Sequence, residues 1–425
     1  MTNWKEYKVE EFAEVIGGGT PSTKNSDYFG GSIPWLTPRD LTNYEKRYIT
    51  NGERNITNEG LRNSSAKLIP KHSILLTSRA PIGYLAIASN EVTTNQGFKS
   101  LVVNPDIANY KFVFYLVKAN IERIKSFGTG TTFAEISASV VKNLKFNLPD
   151  LPTQTAIAEI LSSLDDKIEL NNKINQQLEN LAQTLFKQWF IDFEFPNENG
   201  EPYKSSGGEM IDSELGEIPK GWEVKKLGAL VKKSNTGADA IKRAPIVNED
   251  TGIRCVRVGD MTNKRPFDEW GFCKITPQDY KRYKLEINDI VVTRTATLGI
   301  NTIIRNEIKG VYNNGLIRLK IDENKIIPLL AYCFLQSDAY KIWIERISGD
   351  SSTRPNMQIN YLLDFPMYQC PMTIQTKFIN QASLIFENLE NNILENKELI
   401  QLRDTLLPKL ISGELEVSEL LAQNA

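Results

Sequence analysis

One long helical pattern, over residues 153–190, constrains what the rest of this chain can fold into. Pro149 and Pro152 end whatever precedes it, and Thr153 is predicted to cap its first turn with the side-chain hydroxyl. Apolar residues recur three or four positions apart, which predicts a narrow apolar stripe on one helix. The stripe consists of Ile157, Leu161, Leu164, Ile168, Ile174, Leu178, Leu181 and Leu185. At about 1.5 Å per residue the helix would span roughly 57 Å, too long for a helix inside one small domain.

A second stretch, over residues 373–407, repeats this pattern behind Pro371. Its stripe consists of Phe378, Ala382, Ile385, Leu389, Ile393, Asn396, Leu399, Leu402 and Leu406. Each stripe carries one asparagine, Asn171 in the first and Asn396 in the second, and an asparagine there costs stability but can fix the register of paired helices. The two stretches predict an intramolecular antiparallel helix pair. The alternative is that they are ordinary core helices of a large domain.

The length and composition are typical of a soluble globular protein with more than one domain. The chain has 425 residues, of which 41% are hydrophobic and 24% charged, so two or three domains can each bury a core. It has no run of eighteen apolar residues and no apolar signal segment at its start, so we expect a cytoplasmic protein without a membrane span. The cysteines are far apart in the sequence, which predicts free buried thiols and no metal site. They are Cys255, Cys273, Cys333 and Cys370.

Charge is unevenly distributed along the chain, although the formal net charge is only −2. Residues 1–150 contain 18 lysines and arginines and 14 acidic residues, and residues 216–372 contain 24 and 18. Acidic residues instead predominate in residues 151–215, with 4 basic and 12 acidic, and in residues 373–425, with 4 basic and 8 acidic. The two non-helical parts are therefore mildly basic and the two helical parts acidic. Basic patches on two bodies suit a polyanion such as DNA.

The two halves of the chain are copies of one another. The matching segments are 33–43 with 253–263, 76–83 with 292–299, 95–97 with 313–315, and 154–155 with 375–376, besides Trp4 with Trp222. A repeat of this length is a duplicated domain rather than a solenoid unit. The predicted organisation is a globular domain at 1–150, a central long helix at 151–195, a linker at 196–215, a second globular domain at 216–371, a C-terminal long helix at 372–415 and a tail at 416–425.

Each globular domain carries both strand and helix patterns. Short apolar runs at residues 73–77, 99–103, 289–293 and 316–320 predict strands, whereas residues 110–124 and 329–347 carry helical patterns. The predicted linker is rich in glycine, proline, serine and acidic residues. The predicted fold class is therefore α+β, with two duplicated globular domains separated by two long antiparallel helices that form a coiled coil.

Catalytic patterns are nearly absent from the sequence. The single histidine, His72, lies in a predicted loop, where a solvated role is commoner, and no HExxH, GxSxG or Walker A pattern occurs. The glycine-rich segment 17–22 lacks the lysine that reaches phosphates, so we interpret it as a tight loop whose backbone can approach a DNA phosphate. Asp289 with Glu307 and Lys309 weakly resembles a nuclease carboxylate set, and the first half has no equivalent. We therefore predict no catalytic residue and no bound metal.

Recognition chemistry remains, because matching loops of both halves carry arginine, threonine, asparagine and glutamine. Arginine can donate two hydrogen bonds to guanine O6 and N7, and asparagine or glutamine can pair with adenine N6 and N7. The candidate DNA-binding residues of the first half are Thr37, Arg39, Thr77, Arg79, Tyr84, Asn95, Gln96 and Lys99. Those of the second half are Arg254, Arg257, Arg294, Thr297, Asn313, Asn314 and Arg354. An alternative role for Asn95 and Asn313, each near a glycine, is to stabilise a turn.

Five segments carry a resemblance to a known family. They are AIAEIL at 156–161, LAQTLFKQWF at 181–190, LRDTLLPKLISGEL at 402–415, GGGTPS at 17–22 and LGEIPKGW at 215–222. Together they resemble the specificity subunits of Type I restriction–modification systems, and the resemblance covers nearly the whole chain.

The resemblance implies a non-catalytic subunit whose two target-recognition domains each read one half of a bipartite, asymmetric site in double-stranded DNA. The helices would set the spacer and dock two modification (methyltransferase) subunits, which two restriction (motor-nuclease) subunits can join. It implies no cofactor on this chain, since adenosylmethionine, ATP and Mg²⁺ belong to the partner subunits. In the second copy, residues 233–237 replace the glycine-rich segment and Cys255 replaces Trp35, so the half-sites are expected to differ.

Three alternatives remain open. A self-contained nuclease would use Asp289, Glu307 and Lys309, and metal-dependent cleavage by the purified chain alone would favour it. A protein-binding scaffold would function without retaining DNA and would be insensitive to salt. The third is a specificity subunit of a system that methylates or defends against phage without restriction.

Overall fold

The computed structural model describes residues 4–44, 46–129, 134–348 and 355–417, except for the side chains of 347 and 348. Arg354, one of the candidate DNA-binding residues, lies outside the described residues. The chain divides into two compact units: residues 1–174 with 391–425, and residues 175–390. Each unit contains one globular body and one part of each long helix. Within the described ranges, no helix has both the length and the apolarity to cross a membrane.

Two helices are far longer than the others, as the two stripes predict. The helices are α1 Val9–Phe12, α2 Asn58–Arg62, α3 Tyr110–Ala119, α4 Ile121–Ser126, α5 Ala138–Asn143, α6 Leu151–Phe190, α7 Val258–Thr262, α8 Pro277–Tyr283, α9 Pro328–Phe334, α10 Asp338–Ser348, α11 Ile359–Leu363 and α12 Met372–Ser412. Short 3₁₀ turns lie at Ser26–Tyr28, Pro38–Leu41, Leu227–Leu230 and Phe267–Glu269.

The first body is built from three sheets. Its strands are β1 Lys5–Lys8, β2 Ala13–Gly17, β3 Phe29–Leu36, β4 Tyr48–Ile49, β5 Arg54–Ile56, β6 Ile74–Ser78, β7 Ile82–Ala88, β8 Thr93–Thr94, β9 Lys99–Val103 and β10 Lys145–Leu148. The sheet orders are β2-β9-β6-β7-β4, β5-β3-β8 and β1-β10. Most neighbouring strands are antiparallel, but β3 with β8 and β4 with β7 are parallel pairs.

The second body repeats this plan. Its strands are β11 Met210–Ser213, β12 Gly216–Pro219, β13 Glu223–Lys226, β14 Val231–Thr236, β15 Ile246–Val247, β16 Arg254–Val256, β17 Gly271–Cys273, β18 Ile290–Thr293, β19 Asn301–Ile303, β20 Gly310–Tyr312, β21 Leu316–Ile321 and β22 Pro366–Gln369. The sheet orders are β14-β21-β18-β19, β15-β17-β16-β20, β13-β22 and β11-β12. The parallel pair β16 and β20 corresponds to β3 and β8.

These elements confirm the predicted α+β class, the duplication and the predicted strands. Both predicted body helices are interrupted, the first at Asn120 and the second at residues 335–337. All four cysteines are buried and free, as predicted.

The buried glutamines Gln154 and Gln375 show how closely the copies agree. Gln154 accepts from the Asn109 amide and Gln375 from the Ile327 amide, at 3.0 and 2.9 Å.

The long helices pack antiparallel, which confirms that prediction. In the first unit, Asp165 contacts Arg403 at 2.6 Å and Asn171 donates to Asn396 at 2.9 Å. The residue numbers of the α12 partners therefore decrease as those of α6 increase. Asn171 is fully buried, as is most of Asn396. In the second unit the contact is aromatic, with the Phe190 and Phe378 rings 4.9 Å apart, edge to face.

The start of α6 and the detail of both stripes differ from the prediction. Asp150, not Thr153, accepts from the first-turn amides, because the helix already begins at Leu151. Three predicted stripe residues are about half exposed instead of buried: Leu181, Ile393 and Leu402. Ala182 is buried beside the first, and Arg403 turns inward beside the third. A straight helix drifts by ~20° per heptad, so a fixed spacing does not keep the same residues facing inward over this length.

Two predicted boundaries fall inside folded structure. The predicted linker contains β11, which pairs with β12 across residue 215, and Tyr203 stacks on Phe195 with ring centroids 4.6 Å apart. At the C-terminus, Val417 is buried in the first unit although it belongs to the predicted tail. Composition predicted a linker at 196–215, but Tyr203 and Met210 pack against the core of the second unit, as Val417 packs in the first.

One buried arginine attaches the first body to α6. The backbone amide and Nε of Arg47 both donate to Glu169 Oε1 at 3.0 Å, and its guanidinium pairs with Asp166. Its Nη1 also donates to the Tyr115 hydroxyl, at 3.4 Å. Only 7% of the Arg47 side chain is exposed, so these partners replace its hydration.

Asp165 shares this polar cluster. Burial alone would raise the pKa of this carboxyl, but Lys118, Tyr115 and Arg403 outweigh burial and hold the pKa below its ordinary value. The carboxylate therefore stabilises the fold above the pKa of the unfolded chain, and this contribution is lost as the pH falls through the lower folded pKa. We expect the first unit to be sensitive to acid.

We predict that Arg47→Met lowers the free energy of unfolding by about 3 kcal/mol, because removing one partner leaves buried charge uncompensated. The measurement is urea unfolding of the purified chain. The matched control is Arg39→Met, whose guanidinium is 84% exposed, and which should change the free energy by less than about 0.5 kcal/mol. Equal midpoints for the two variants would contradict a clamping role for Arg47.

Candidate nucleic-acid interface

In the first body, the turn at residues 95–97 ties together segments that carry candidate residues. Asn95 Oδ1 accepts from the Gly97 amide at 2.8 Å, so this asparagine does stabilise a turn. The Asn95 amide donates to the Leu36 carbonyl at 2.8 Å, and the Ser78 amide donates to the Gly97 carbonyl at 2.7 Å. The residues after β3, after β6 and after β8 therefore meet at one place.

The glycine-rich segment joins the same place through a close backbone approach. A Cβ on Gly18 would lie 2.1 Å from the Asn95 carbonyl oxygen, so only glycine fits. The Gly19 amide donates to the Thr94 carbonyl at 2.8 Å, and the Thr20 hydroxyl donates to Gln96 Oε1. The segment is a tight loop, as predicted, and Gln96 is exposed beside it.

The second body repeats this junction. Asn313 Oδ1 accepts from the Gly315 amide at 3.2 Å, and the Arg294 amide donates to the Gly315 carbonyl at 2.9 Å. A Cβ on Gly237 would lie 2.2 Å from the Asn313 carbonyl oxygen. Gly237 thus corresponds to Gly18, and our sequence pairing of the glycine-rich segment with 233–237 is wrong by several residues. The backbone contact determines the true alignment.

The cationic candidates of the first body differ in solvent exposure and in ion pairing. Arg39 is the most exposed, with Glu53 no closer than 4.0 Å. Arg79 and Lys99 both lie 3.5 Å from Glu135, which therefore brings them together. Glu135 was not among the predicted residues, because it is far from both in the sequence and is brought beside Arg79 by a long-range backbone bridge.

Three other candidates of the first body hold loops in place. Thr37 donates to Asp40 at 2.7 Å and caps the 3₁₀ turn. Thr77 is fully buried; its hydroxyl donates to the Pro81 carbonyl and accepts from the Tyr84 amide, both at 2.8 Å. The Tyr84 side chain is half-buried, in a cavity that Glu169 of α6 also lines. Thr77 therefore stabilises a loop and is too buried to contact DNA.

The second body shows the same mixture. Arg254 lies over the Phe272 ring, 3.8 Å from its centroid, and donates to the Trp270 carbonyl. Arg257 bonds Asp260 at 3.2 Å, the position that Asp40 occupies in the first body. Arg294 donates to the carbonyls of Met357 and Asn314. Thr297 and Asn314 are exposed.

The residues of the nuclease alternative lie in different environments. Asp289 is buried, accepts from the Glu286 amide at 2.9 Å and faces Arg318 at 3.7 Å, and its burial raises its pKa. Glu307 and Lys309 are exposed. The described residues contain no group of three or more His, Cys, Asp or Glu side chains that could hold a metal. Asp289 here stabilises the turn before β18.

Two adjacent glycines give a matched test of the junction. We predict that Gly18→Ala destabilises the chain by about 1–3 kcal/mol, because the new Cβ collides with backbone oxygens. Gly17→Ala should be nearly neutral, since a Cβ there meets nothing within 4 Å. Urea unfolding measures both variants. Equal stability of the two would show that the close approach at Gly18 is not needed.

Comparison with known proteins places this arrangement in one family. The family model described as "Type I restriction modification DNA specificity domain" matches residues 1–180 and again residues 219–403. The chain is 36% identical to the Type I restriction enzyme MjaIX specificity subunit of Methanocaldococcus jannaschii, covering 98% of this chain and 95% of that protein. It is 24% identical to the HindI specificity subunit of Haemophilus influenzae, covering 98% of this chain and all of that protein.

A solved structure shows the same fold. The S subunit of a Type I restriction–modification system from M. genitalium superposes with a TM-score of 0.62 at 18% identity, over 96% of each chain. The family model matches both copies of the duplicated body, each with most of the long helix that follows it. This chain belongs to the family of specificity subunits of Type I restriction–modification systems.

Proposed function

We propose that this chain is the non-catalytic DNA-reading subunit of its complex, and that each body reads one half of a bipartite, asymmetric site. The observation that supports this best is the repeated junction. Both bodies have the same hydrogen bonds around residues 95–97 and 313–315, yet different side chains project from them. A constant frame with variable polar side chains suits base recognition, because the base edges are read by side chains while the frame keeps their positions fixed.

The side chains at matched positions differ between the bodies. Gln96 in the first body corresponds to Asn314 in the second, and both are exposed. The buried Ser78 corresponds to Arg294, whose half-buried guanidinium donates to the carbonyls of Met357 and Asn314. Glutamine, asparagine and arginine side chains differ in length and in their hydrogen-bond donors. We therefore propose that the two half-sites differ in sequence.

The helices are proposed to set the spacer between the half-sites. Their antiparallel register is held by the Asn171–Asn396 contact in the first unit and by aromatic packing in the second. One body reading a few base pairs discriminates poorly against a genome of competing sites, and linking two multiplies specificity. We propose half-site centres about one turn of DNA apart, near 34 Å.

The helices are also proposed to dock two modification subunits. Both helical parts are acidic and carry exposed aliphatic side chains, including Leu170, Leu384 and Leu394. We propose that these leucines give the modification subunits an apolar contact, since the core of a protein interface is apolar. We propose that adenosylmethionine is bound by those subunits and ATP with Mg²⁺ by two restriction subunits, with no cofactor on this chain.

The reading role is tested by mapping methylated bases in host DNA with and without this gene. We expect deletion to abolish one bipartite adenine-methylation motif, because the modification subunits lose their means of locating it. Replacing residues 216–371 with the equivalent domain of another family member should change one half of the motif and keep the other half and the spacer. An unchanged methylation pattern on deletion, or a swap that alters both halves, would overturn the proposal.

The docking role is tested by co-purification with the modification subunit of the same host. We expect Leu394→Glu to reduce the recovered modification subunit about tenfold or more, since a charge replaces a buried apolar contact at the interface. Leu68→Glu is the matched control, because Leu68 is also an exposed leucine but lies on the first body. Undiminished recovery with Leu394→Glu would contradict docking at this part of α12.

A further inference from the structure

One apolar side chain of the second body is unusually exposed. Ile241 lies in the loop between β14 and β15 and is 86% exposed, the highest value among the large apolar side chains of the described residues. The next two residues, Lys242 and Arg243, are cationic. Single exposed aliphatic residues are common on protein surfaces, so the exposure of Ile241 is informative only together with its setting.

The loop holds Ile241 outward by specific hydrogen bonds. Asp239 Oδ1 accepts from the amides of Ile241 and Lys242, at 3.0 and 3.3 Å. The Asp239 carbonyl accepts from the Arg243 and Ala244 amides, at 2.7 and 3.2 Å. Ala244 is fully buried at the end of the loop. The isoleucine is therefore presented by an ordered turn and has little freedom to fold back onto the body.

The position of the loop connects it to the candidate DNA-reading residues. At its base, the Ala238 amide donates to the Tyr312 carbonyl at 2.9 Å, and Ala238 bridges to Asn313. On the other side, Arg243 pairs with Asp279 of α8 at 3.0 Å. Helix α8 also carries exposed Lys281 and Arg282. Ile241 thus lies between a turn that presents amide side chains and a cationic helix.

We propose that Ile241 is a specificity-determining residue that packs against the C5-methyl group of a thymine in the half-site read by the second body. The proposal rests on the proposed function and adds a residue to it. Asn314 of the adjacent turn is exposed, and an asparagine can pair with adenine from the major groove, where the thymine methyl is the apolar feature of the base edges. Phosphates attract the flanking cations, whereas the thymine methyl on the major-groove edge of the base gives the isoleucine an apolar partner.

The first body lacks this feature. Gly18 corresponds to Gly237, so the position equivalent to Ile241 is Ser22, which is exposed and polar. An apolar contact is therefore expected at the second half-site only. Ile241 therefore differs from the residues of the repeated junction, which have counterparts in both bodies.

The test uses the complex of the full chain with its modification subunit and the site found by methylation mapping. Each thymine of the two half-sites is replaced in turn by deoxyuridine, which lacks only the methyl group. For wild type we expect one replacement in the second half-site to weaken binding about fourfold, the factor for losing one buried methyl group. For Ile241→Ala the same replacement should have no effect, because the methyl has no partner left. Ile287→Ala is the control: Ile287 is also exposed in the second body, between Glu286 and Asn288, and should keep the wild-type response.

Three results would overturn the proposal while leaving the proposed function intact. They are a second half-site without thymine on either strand, a wild-type complex insensitive to every replacement there, and an Ile241→Ala complex that keeps the fourfold response. Failure of the wild-type complex to bind the mapped site, or lack of any mapped site, would overturn the proposed function itself. The two failures are therefore distinguishable.

Discussion

The packing of the two long helices against each other is the constraint on which the rest of the structure depends. An apolar stripe alone tolerates slippage by a turn, because one aliphatic contact replaces another at little cost. The buried amides of Asn171 and Asn396 do not tolerate it, since an unpaired buried amide costs about 1–3 kcal/mol. Asn396 also donates to Asn172 at 2.8 Å, and Lys167 pairs with Glu395 at 3.1 Å. Polar contacts thus select one register from many apolar ones.

The two bodies are attached to the helices by different chemistry. In the first unit the apolar core that α6 shares with the body, including Ile157 and Leu161, is supplemented by Arg47 with Asp166 and Glu169. In the second unit the core is largely aromatic, with Phe190 5.7 Å from Trp222 and 4.9 Å from Phe378 between ring centroids, and Arg305 pairs with Glu390 at 2.7 Å. A buried ion pair requires a defined geometry, whereas aromatic rings gain from area. Duplication therefore preserved the plan of each unit while the contacts that secure it diverged.

DNA recognition requires each body to vary its exposed side chains without disturbing its fold. The junctions at residues 95–97 and 313–315 keep the same hydrogen bonds, so a change of exposed side chain need not disturb the frame. The buried Thr77 and its counterpart Thr293 illustrate this division, since each hydroxyl accepts from the amide seven residues later, Tyr84 or Ile300. Residues of this kind are retained because a loop needs them. Gln96 and Asn314 are exposed and can vary with the DNA sequence read.

Sequence alone determined the long helices, the duplication, the α+β class and the paired asparagines, because each depends on local periodicity or on comparison of one half with the other. It did not determine which side chains face inward late in a long stripe: Ala182 rather than Leu181 is buried, since helical drift accumulates with length. Nor did it reveal that Thr77 is buried, that Glu135 bridges two cations or that Arg47 attaches a body to a helix. Those features depend on contacts between residues far apart in the chain, so only the tertiary structure decides them.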